Sequence, residues 1–383
     1  MAEKAGLISS PGVASKAMLY CGTETDSVLV LEMSTEGDVE ERQRLQTTTN
    51  PLKLKFGSPG GVAVEWVALH PSKRYLYALT CFWDKAIGEA KSFKVDPHNG
   101  LLEECSDTPC PTGGKQPCHA DFSPDGQWLV VAHYLGGVVS VLDCRGGALA
   151  RDVVCCMDLP GERPKPGETG SALHKGPLAH GVRFNPSGSS VAVCDAGQGR
   201  ICVYGFNQAT GMLNDPPQMQ TCVAAAPGQG WIQRWLLKKL GSRPRHLAFH
   251  PTLSKVYVLS ELGNALSWHS FNNLTGEFSE AEGEVKSLSP VQAVTCFSRI
   301  GCRLPGVNAA AEVEVSSDGR FLYVSNRGIG PSAEDSLAVF KLDQASGAAQ
   351  WVQSITVGGG PRHFAIFRGG SELLAGMQHG KAV

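Results

Sequence analysis

Arginine, histidine and glutamate recur at two neighbouring positions of a pattern that repeats along the chain. Six residues before each turn of this pattern stand Glu65, Cys118, His180, Arg245, Ala311 and Arg362. The next position holds Trp66, His119, Gly181, His246, Glu312 and His363. A guanidinium fork binds phosphate or carboxylate, while histidine and glutamate transfer protons. These residue types predict a site that binds an anion and performs acid–base chemistry.

Further polar residues stand nine or ten positions after the turns. They are His133, Asp195, Glu261 and the pair Asn326–Arg327. Polar groups that converge on one concave pocket are the expected signature of a functional site. Substrate-contacting residues are therefore predicted at His119, His133, Asp195, His246, Glu312, Asn326, Arg362 and His363.

The element that must position these residues is a β-hairpin. Two apolar strands flank a turn in CHADFSPDGQWLVVA (118–132), RHLAFHPTLSKVYVL (245–259) and AEVEVSSDGRFLYVS (311–325), with further copies at 64–79, 180–194 and 362–376. The turns recur every roughly 50 to 65 residues, a period that fits one propeller blade with its loops. Each interval adds a third strand and a glycine turn, as in RICVYGFNQATGML. Each unit therefore reads as a four-stranded antiparallel sheet.

Six such hairpin units and a leading half unit predict an all-β protein, a seven-bladed β-propeller whose last blade is incomplete. Residues 1–16 are expected to form a tail, and residues 17–383 a single domain. The first strand of a blade lines the central channel and the second returns antiparallel. The start of the first strand and the end of the second therefore meet at one rim, which places the ionisable residues together.

Composition excludes several classes of protein. Among 383 residues, 42% are hydrophobic and 18% are charged, which argues against disorder. Lys and Arg number 34 against 36 Asp and Glu, a balance that disfavours nucleic-acid binding. No apolar run is long enough to predict a membrane span. Without a secretory signal pattern, and with 13 cysteines but no C-x-x-C pair, we expect a cytoplasmic protein with reduced thiols.

The sequence lacks the motifs of several cofactor and metal sites. There is no Walker A loop, no G-x-G-x-x-G and no H-E-x-x-H, so neither a metal nor an organic cofactor is predicted. An insertion at about 223–242 has Trp231 and Trp235 at helical spacing, followed by Lys238 and Lys239. It is interpreted as a helix that packs on the propeller face, with a lid or a membrane contact as alternatives.

Several blocks of the chain resemble a known family. RPRHLAFHP (243–251), SSDGRFLYVSNRG (316–328), GGGPRHFAI (358–366) and KGPLAHGVRFNPSG (175–188) are similar to the lactonase family of seven-bladed propellers. That family includes propeller-type 6-phosphogluconolactonases and carboxy-cis,cis-muconate cyclases. The resemblance implies a catalytic set at His180, Glu261, Arg245 and Arg327. The chain departs from the family pattern at Leu178 and Glu314, where the family has histidine.

The resemblance implies hydrolysis of a sugar lactone, with 6-phosphogluconolactone of the pentose phosphate pathway as the expected substrate. The arginines would hold the anionic group and stabilise the oxyanion, and His180 or Glu261 would activate water. Two alternatives remain open: a muconate-type cyclase that closes a lactone ring, and a non-catalytic scaffold that binds a partner. The oligomeric state is not predicted.

Overall fold

The computed structural model describes residues 2–8, 16–48, 61–83, 85–162, 176–221, 241–287, 307–329, 335–367 and 370–378. Across these ranges the chain forms strands and turns and contains no α-helix. Twenty-eight strands build seven antiparallel sheets in chain order, six with four or five strands and one with two. These sheets are the blades of a seven-bladed β-propeller, which confirms the predicted fold.

The first three blades follow one another from the N-terminus. Blade 1 contains β1 (Ala2–Ile8), β2 (Ala17–Thr23), β3 (Ser27–Met33) and β4 (Val39–Gln46). Blade 2 contains β5 (Val62–Leu69), β6 (Tyr75–Phe82), β7 (Glu89–Val95), β8 (Leu102–Glu104) and β9 (Cys110–Pro111). Blade 3 contains β10 (Pro117–Phe122), β11 (Trp128–His133), β12 (Val138–Asp143) and β13 (Val153–Asp158).

The other four blades complete the ring. Blade 4 contains β14 (Ala179–Phe184), β15 (Ser190–Asp195), β16 (Arg200–Asn207), β17 (Met212–Leu213) and β18 (Gln218–Thr221). Blade 5 contains β19 (Pro244–Phe249), β20 (Lys255–Ser260), β21 (Ala265–Phe271) and β22 (Phe278–Lys286). Blade 6 contains β23 (Val307–Val315), β24 (Phe321–Ile329), β25 (Ser336–Leu342) and β26 (Ala349–Thr356), and blade 7 contains β27 (Pro361–Phe367) and β28 (Glu372–Met377).

The core lies between neighbouring blades, where apolar faces of the sheets meet. One cluster joins Trp128 and Val141 of blade 3 to Phe184 and Tyr204 of blade 4. Buried tyrosines add polar links from the second strand of a blade to a glycine turn of the next. Their hydroxyls donate to carbonyls in the pairs Tyr20–Gly100 (2.7 Å), Tyr77–Gly147 (2.5 Å) and Tyr257–Gly347 (2.8 Å). These contacts fix the angle between blades and explain the recurring glycine turns of the sequence.

The ring closes between the first and last blades. Leu19 and Met33 of blade 1 share an apolar cluster with Phe367 and Leu374 of blade 7. The structure differs from the expected tail at Ala2–Ile8, because β1 pairs with β2 and thereby covers the inner edge of blade 1. Blade 7 has two strands in the part of the chain described.

The insertion predicted at 223–242 falls almost wholly on residues 222–240, which lie outside the described residues. Within the described ranges, no helix is long and apolar enough to span a bilayer.

Candidate functional site: the arginine mouth of the channel

The inner strand of each blade departs from regular pairing at the same point. The register skips one residue in four blades, and the skipped residues are Glu65, Cys118, Arg245 and Arg362. Blades 4 and 6 have wider irregularities, at 180–181 and 311–312. A β-bulge re-aims side chains that regular alternation would send to opposite faces. The two neighbouring positions singled out in the sequence are therefore the bulge and the residue that follows it.

The residue after each bulge packs into the channel. The ring of Trp66 lies 4.0 Å from that of His119 and 5.1 Å from that of His363, measured between centroids. His246 completes the stack, with its centroid 4.6 Å from His119 and 5.1 Å from His180. The structure thus brings three predicted histidines, His119, His246 and His363, around Trp66, and His180 joins them through His246.

Glu312 contacts two histidines of this stack. The Nδ1 of His246 donates to Oε1 of Glu312 at 2.7 Å, and Nε2 of His363 lies 3.4 Å from Oε2. Nη1 of Arg245 lies 3.4 Å from Nε2 of His246. Because a guanidinium can only donate, Nε2 of His246 must accept, and His246 is the neutral Nδ1–H tautomer. A buried carboxylate and a buried arginine therefore fix the orientation of one imidazole.

Above the stack, Glu261 holds two arginines. Its Oε1 accepts from Nη2 of Arg327 at 2.5 Å and lies 4.0 Å from Nε of Arg245. Burial raises the pKa of Glu261, but Arg327, Arg245 and Arg243 together outweigh it and lower the pKa below its usual range. Burial, with Arg327 and Arg362 nearby, lowers the pKa of Arg245 to about 10. Glu261 is therefore an ionised carboxylate in a strongly positive environment.

Two further ionic groups complete this end of the channel. Nη2 of Arg362 lies 3.2 Å from Oε2 of Glu65. Nη1 of Arg243 donates to the hydroxyl of Tyr134 at 3.0 Å, and burial raises the pKa of that hydroxyl to about 12. We call the group Arg243, Arg245, Arg327 and Arg362 the arginine mouth. Its four positive charges outnumber the three nearby carboxylates, Glu65, Glu261 and Glu312, so this end of the channel favours an anion.

Comparison with known proteins agrees with the fold. A family model, the lactonase 7-bladed beta-propeller, matches residues 18–383. The chain belongs to this lactonase family. It is 27% identical over 356 residues to a Bacillus subtilis protein named 6-phosphogluconolactonase, with 92% of this chain and 85% of that protein covered. A Formosa agariphila protein with the same name is 26% identical over 323 residues, covering 82% and 78%.

A solved structure of a lactone-hydrolysing protein is also similar. The periplasmic gluconolactonase of Pseudomonas aeruginosa superposes with a TM-score of 0.67 at 25% identity, covering 94% of this chain and 89% of that one. The four residues expected to be catalytic from the lactonase resemblance all lie at the arginine mouth. Glu261 pairs with both Arg245 and Arg327, and the His180 ring lies 5.3 Å from that of Tyr134.

Three residues predicted to contact substrate have contacts of another kind in this lactonase-family propeller. The carboxylate of Asp195 accepts from the backbone of Leu178 at 2.9 Å and from Arg200 at 3.2 Å, which organises a loop and a hairpin turn. The Asn326 amide exchanges hydrogen bonds with Ser287 at 2.8 and 2.9 Å.

The third residue, His133, packs at the end of its strand. Its Nδ1 lies 3.3 Å from the carbonyl of Val138, and burial lowers its pKa to about 4. The imidazole is therefore neutral, and it contacts the backbone of the blade 3 hairpin rather than the residues of the arginine mouth. Strand ends require polar groups of this kind to satisfy turn backbone, so the residue type alone does not distinguish the two roles.

Arg243 is the site residue that the aligned strand positions miss. It precedes β19 and has a φ of 57°, a left-handed conformation that a non-glycine residue adopts at a cost. The amide of Glu261 donates to its carbonyl at 2.8 Å, which holds this conformation. The sequence feature that could have identified Arg243 is R-P-R, which places one arginine on each side of the proline that begins the strand.

Gly181 makes room for the histidine stack. A Cβ at this position would lie 2.5 Å from the carbonyl oxygen of Arg245 and 2.9 Å from Cα of His246. Every other blade with an aligned copy has a large or charged side chain here. The missing side chain lets β19 approach β14, so that His180 and His246 come into contact.

No group of three or more His, Cys, Asp or Glu in the described ranges is arranged to hold a metal ion. The chemistry available to the residues themselves is anion binding by arginine and proton transfer by histidine.

Proposed function

We propose that the protein is a lactone hydrolase acting on a sugar lactone with an anionic substituent, foremost 6-phosphogluconolactone. The observation that carries the proposal is the arginine mouth, with His180 beside it, in a member of the lactonase family. The names of the relatives from Bacillus subtilis and Formosa agariphila support the same substrate.

Exposure divides the arginines into two roles. Arg245 is 1% exposed and donates to the carbonyl of Ala311, so it acts through its charge and through Glu261 rather than by touching substrate. The side chain of Arg362 is 19% exposed and that of Arg327 is 10% exposed. We assign Arg327 to the oxyanion and Arg362, with Arg243, to the phosphate.

The reaction then needs one proton acceptor. His180 takes a proton from water as the water oxygen bonds to the lactone carbonyl carbon, and Arg327 stabilises the oxyanion that forms. The bond from this carbon to the ring oxygen breaks when the carbonyl reforms. The proton on His180 passes to the ring oxygen, which gives the hydroxy acid. Glu261 positions Arg327, since its lowered pKa keeps it ionised and ill-suited to accept the proton.

Hydrolysis of 6-phosphogluconolactone by the purified protein tests this function. The enzyme-dependent rate must exceed spontaneous hydrolysis, and His180→Asn should reduce kcat by about 10²- to 10⁴-fold. His98→Asn is the matched control, because His98 lies in the exposed turn between β7 and β8. A carboxymuconate substrate is assayed in parallel. Lactonisation of that substrate without lactone hydrolysis would assign the cyclase reaction instead. The absence of both activities would refute an enzymatic role for the arginine mouth.

A further inference from the structure

The opposite end of the channel has a different ring of side chains. In the inner strands of blades 2 to 7, whose side chains the structure describes, the residue two positions beyond the channel stack faces the same side, because strand side chains alternate. We call this ring the alanine mouth, and it consists of Ala68, Asp121, Arg183, Ala248, Glu314 and Ala365. The three alanines leave space where larger side chains would close the channel.

A cavity of about 550 Å³ opens at this mouth. It lies above Ala248 on β19, and its walls include Arg183 and Phe184 from β14 and Glu314 from β23. Phe249, Val313 and Ile366 make the remainder of the wall largely apolar. Because β14 and β23 flank β19 in the ring, the arginine and the glutamate stand on opposite sides of the cavity. A concave pocket that combines apolar side chains with a few polar groups is the usual form of a small-molecule site.

The two charged walls are each held in place but do not pair with each other. Nη1 of Arg183 lies 3.3 Å from Oδ1 of Asp121, whose Oδ2 accepts from the amide of Phe184 at 2.8 Å. Oε2 of Glu314 accepts from the amide of Ile366 at 3.3 Å. Asp121 therefore orients the guanidinium, and the backbone of β27 orients the carboxyl group.

We propose that this cavity is a binding site for a small zwitterion of the amino-acid class, whose carboxylate contacts Arg183 and whose ammonium contacts Glu314. The apolar part of the ligand packs against Ala248, Phe184 and Phe249. This site is separate from the arginine mouth, and the proposal does not depend on lactone hydrolysis.

The charges favour a zwitterion over an ion of one sign. A carboxylate alone would contact Arg183 but bring no positive charge to Glu314, and an amine alone would contact Glu314 but add no acceptor for Arg183 beyond Asp121. Burial and the neighbouring Glu312 raise the pKa of Glu314 to about 8 although Arg183 opposes the rise, so the carboxyl favours an additional positive partner. An ammonium group supplies that partner and ionises Glu314 as it binds.

Calorimetric titration of the full chain with the proteinogenic L-amino acids tests the proposal. For the amino acid that binds most tightly, its decarboxylated amine and its deaminated acid are titrated next. Each analogue should bind roughly 10- to 100-fold more weakly, as expected for loss of a charge-assisted hydrogen bond. For leucine, the analogues are 3-methylbutylamine and 4-methylpentanoate.

Two charge variants assign the contacts. Glu314→Gln should weaken the amino acid but leave the deaminated acid unchanged, and Arg183→Gln should weaken the amino acid but leave the amine unchanged. Ala248→Leu narrows the cavity at the position assigned to the apolar part of the ligand and should weaken binding while lactone hydrolysis persists. The proposal is overturned if no amino acid binds, if either analogue binds as tightly as its parent, or if Ala248→Leu binds normally.

Discussion

The two ends of the central channel are built from the same inner strands and have very different densities of functional groups. At the arginine mouth, bulges bring two consecutive side chains of a strand to the channel, as with Arg245 and His246. At the alanine mouth, regular alternation delivers one side chain per strand, and three of the six are alanine. The difference indicates that the β-bulges of the inner strands, rather than the propeller ring itself, concentrate charged side chains at the arginine mouth.

The largest expected effect at the arginine mouth comes from Arg327. Arg327→Gln should reduce kcat for the lactone by about 10²- to 10³-fold, because it removes the donor assigned to the oxyanion. Steady-state kinetics compare it with Arg320→Gln, which alters an exposed arginine in a turn of blade 6. Equal loss in both variants would mean that the arginine mouth is not where the chemistry occurs.

Gly181→Ala tests whether the close approach of β14 and β19 is required. The added Cβ meets backbone atoms, so the variant should lose about 1–3 kcal/mol of unfolding free energy and a large part of its activity. Gly146→Ala is the control, since a Cβ there meets nothing within 4 Å. Denaturant unfolding measures both. If Gly181→Ala matched Gly146→Ala in stability and rate, the packing assigned to this glycine would be wrong.

Glu261→Gln should show that the carboxylate of the arginine mouth stabilises the fold only when ionised. Its pKa is lowered, so its stabilisation is present above the ordinary value near 4.5 and is lost as the pH falls through the folded-state value. The variant should therefore be about 2 kcal/mol less stable at pH 7. The difference should shrink below pH 4.5, as followed by denaturant midpoints. A pH-independent difference contradicts the assigned ion pairs.

Glu314→Gln should give the opposite dependence on pH. The pKa of Glu314 is raised to about 8, so its neutral form favours the fold and that contribution is lost as the pH rises toward 8. Wild type should therefore lose about 1–2 kcal/mol relative to the variant between pH 5 and pH 8. Parallel curves for the two proteins would show that the two mouths do not differ electrostatically.

The sequence predicts more of the ring than of the site. Hairpin spacing gives the propeller because each blade repeats the same turn and apolar alternation. Aligning the hairpins on their turns also brings His180, Arg245 and Glu312 to one channel. The alignment cannot tell that Asp195 accepts from the backbone of Leu178 or that Asn326 bonds Ser287 of the preceding blade, because polar strand ends serve backbone contacts and ligands alike.

Two features depend on backbone geometry that no residue pattern encodes directly. The left-handed conformation of Arg243 is held by the hydrogen bond from the amide of Glu261 to its carbonyl. The two residues are close in space but stand at opposite ends of the β19–β20 hairpin in the sequence. The strand β1 likewise forms because it pairs with β2 at the inner edge of blade 1. The sequence of residues 2–8 alone does not predict this pairing.

The most direct test of the account is the preference of the protein for an anionic lactone. The ratio of kcat/KM for 6-phosphogluconolactone to that for glucono-1,5-lactone is measured in wild type and in Arg362→Gln. We expect wild type to favour the phosphorylated lactone by at least roughly 100-fold, and the variant to lose about tenfold or more of that preference. A ratio near one in wild type, or a ratio unchanged by Arg362→Gln, would contradict the role assigned to the arginine mouth.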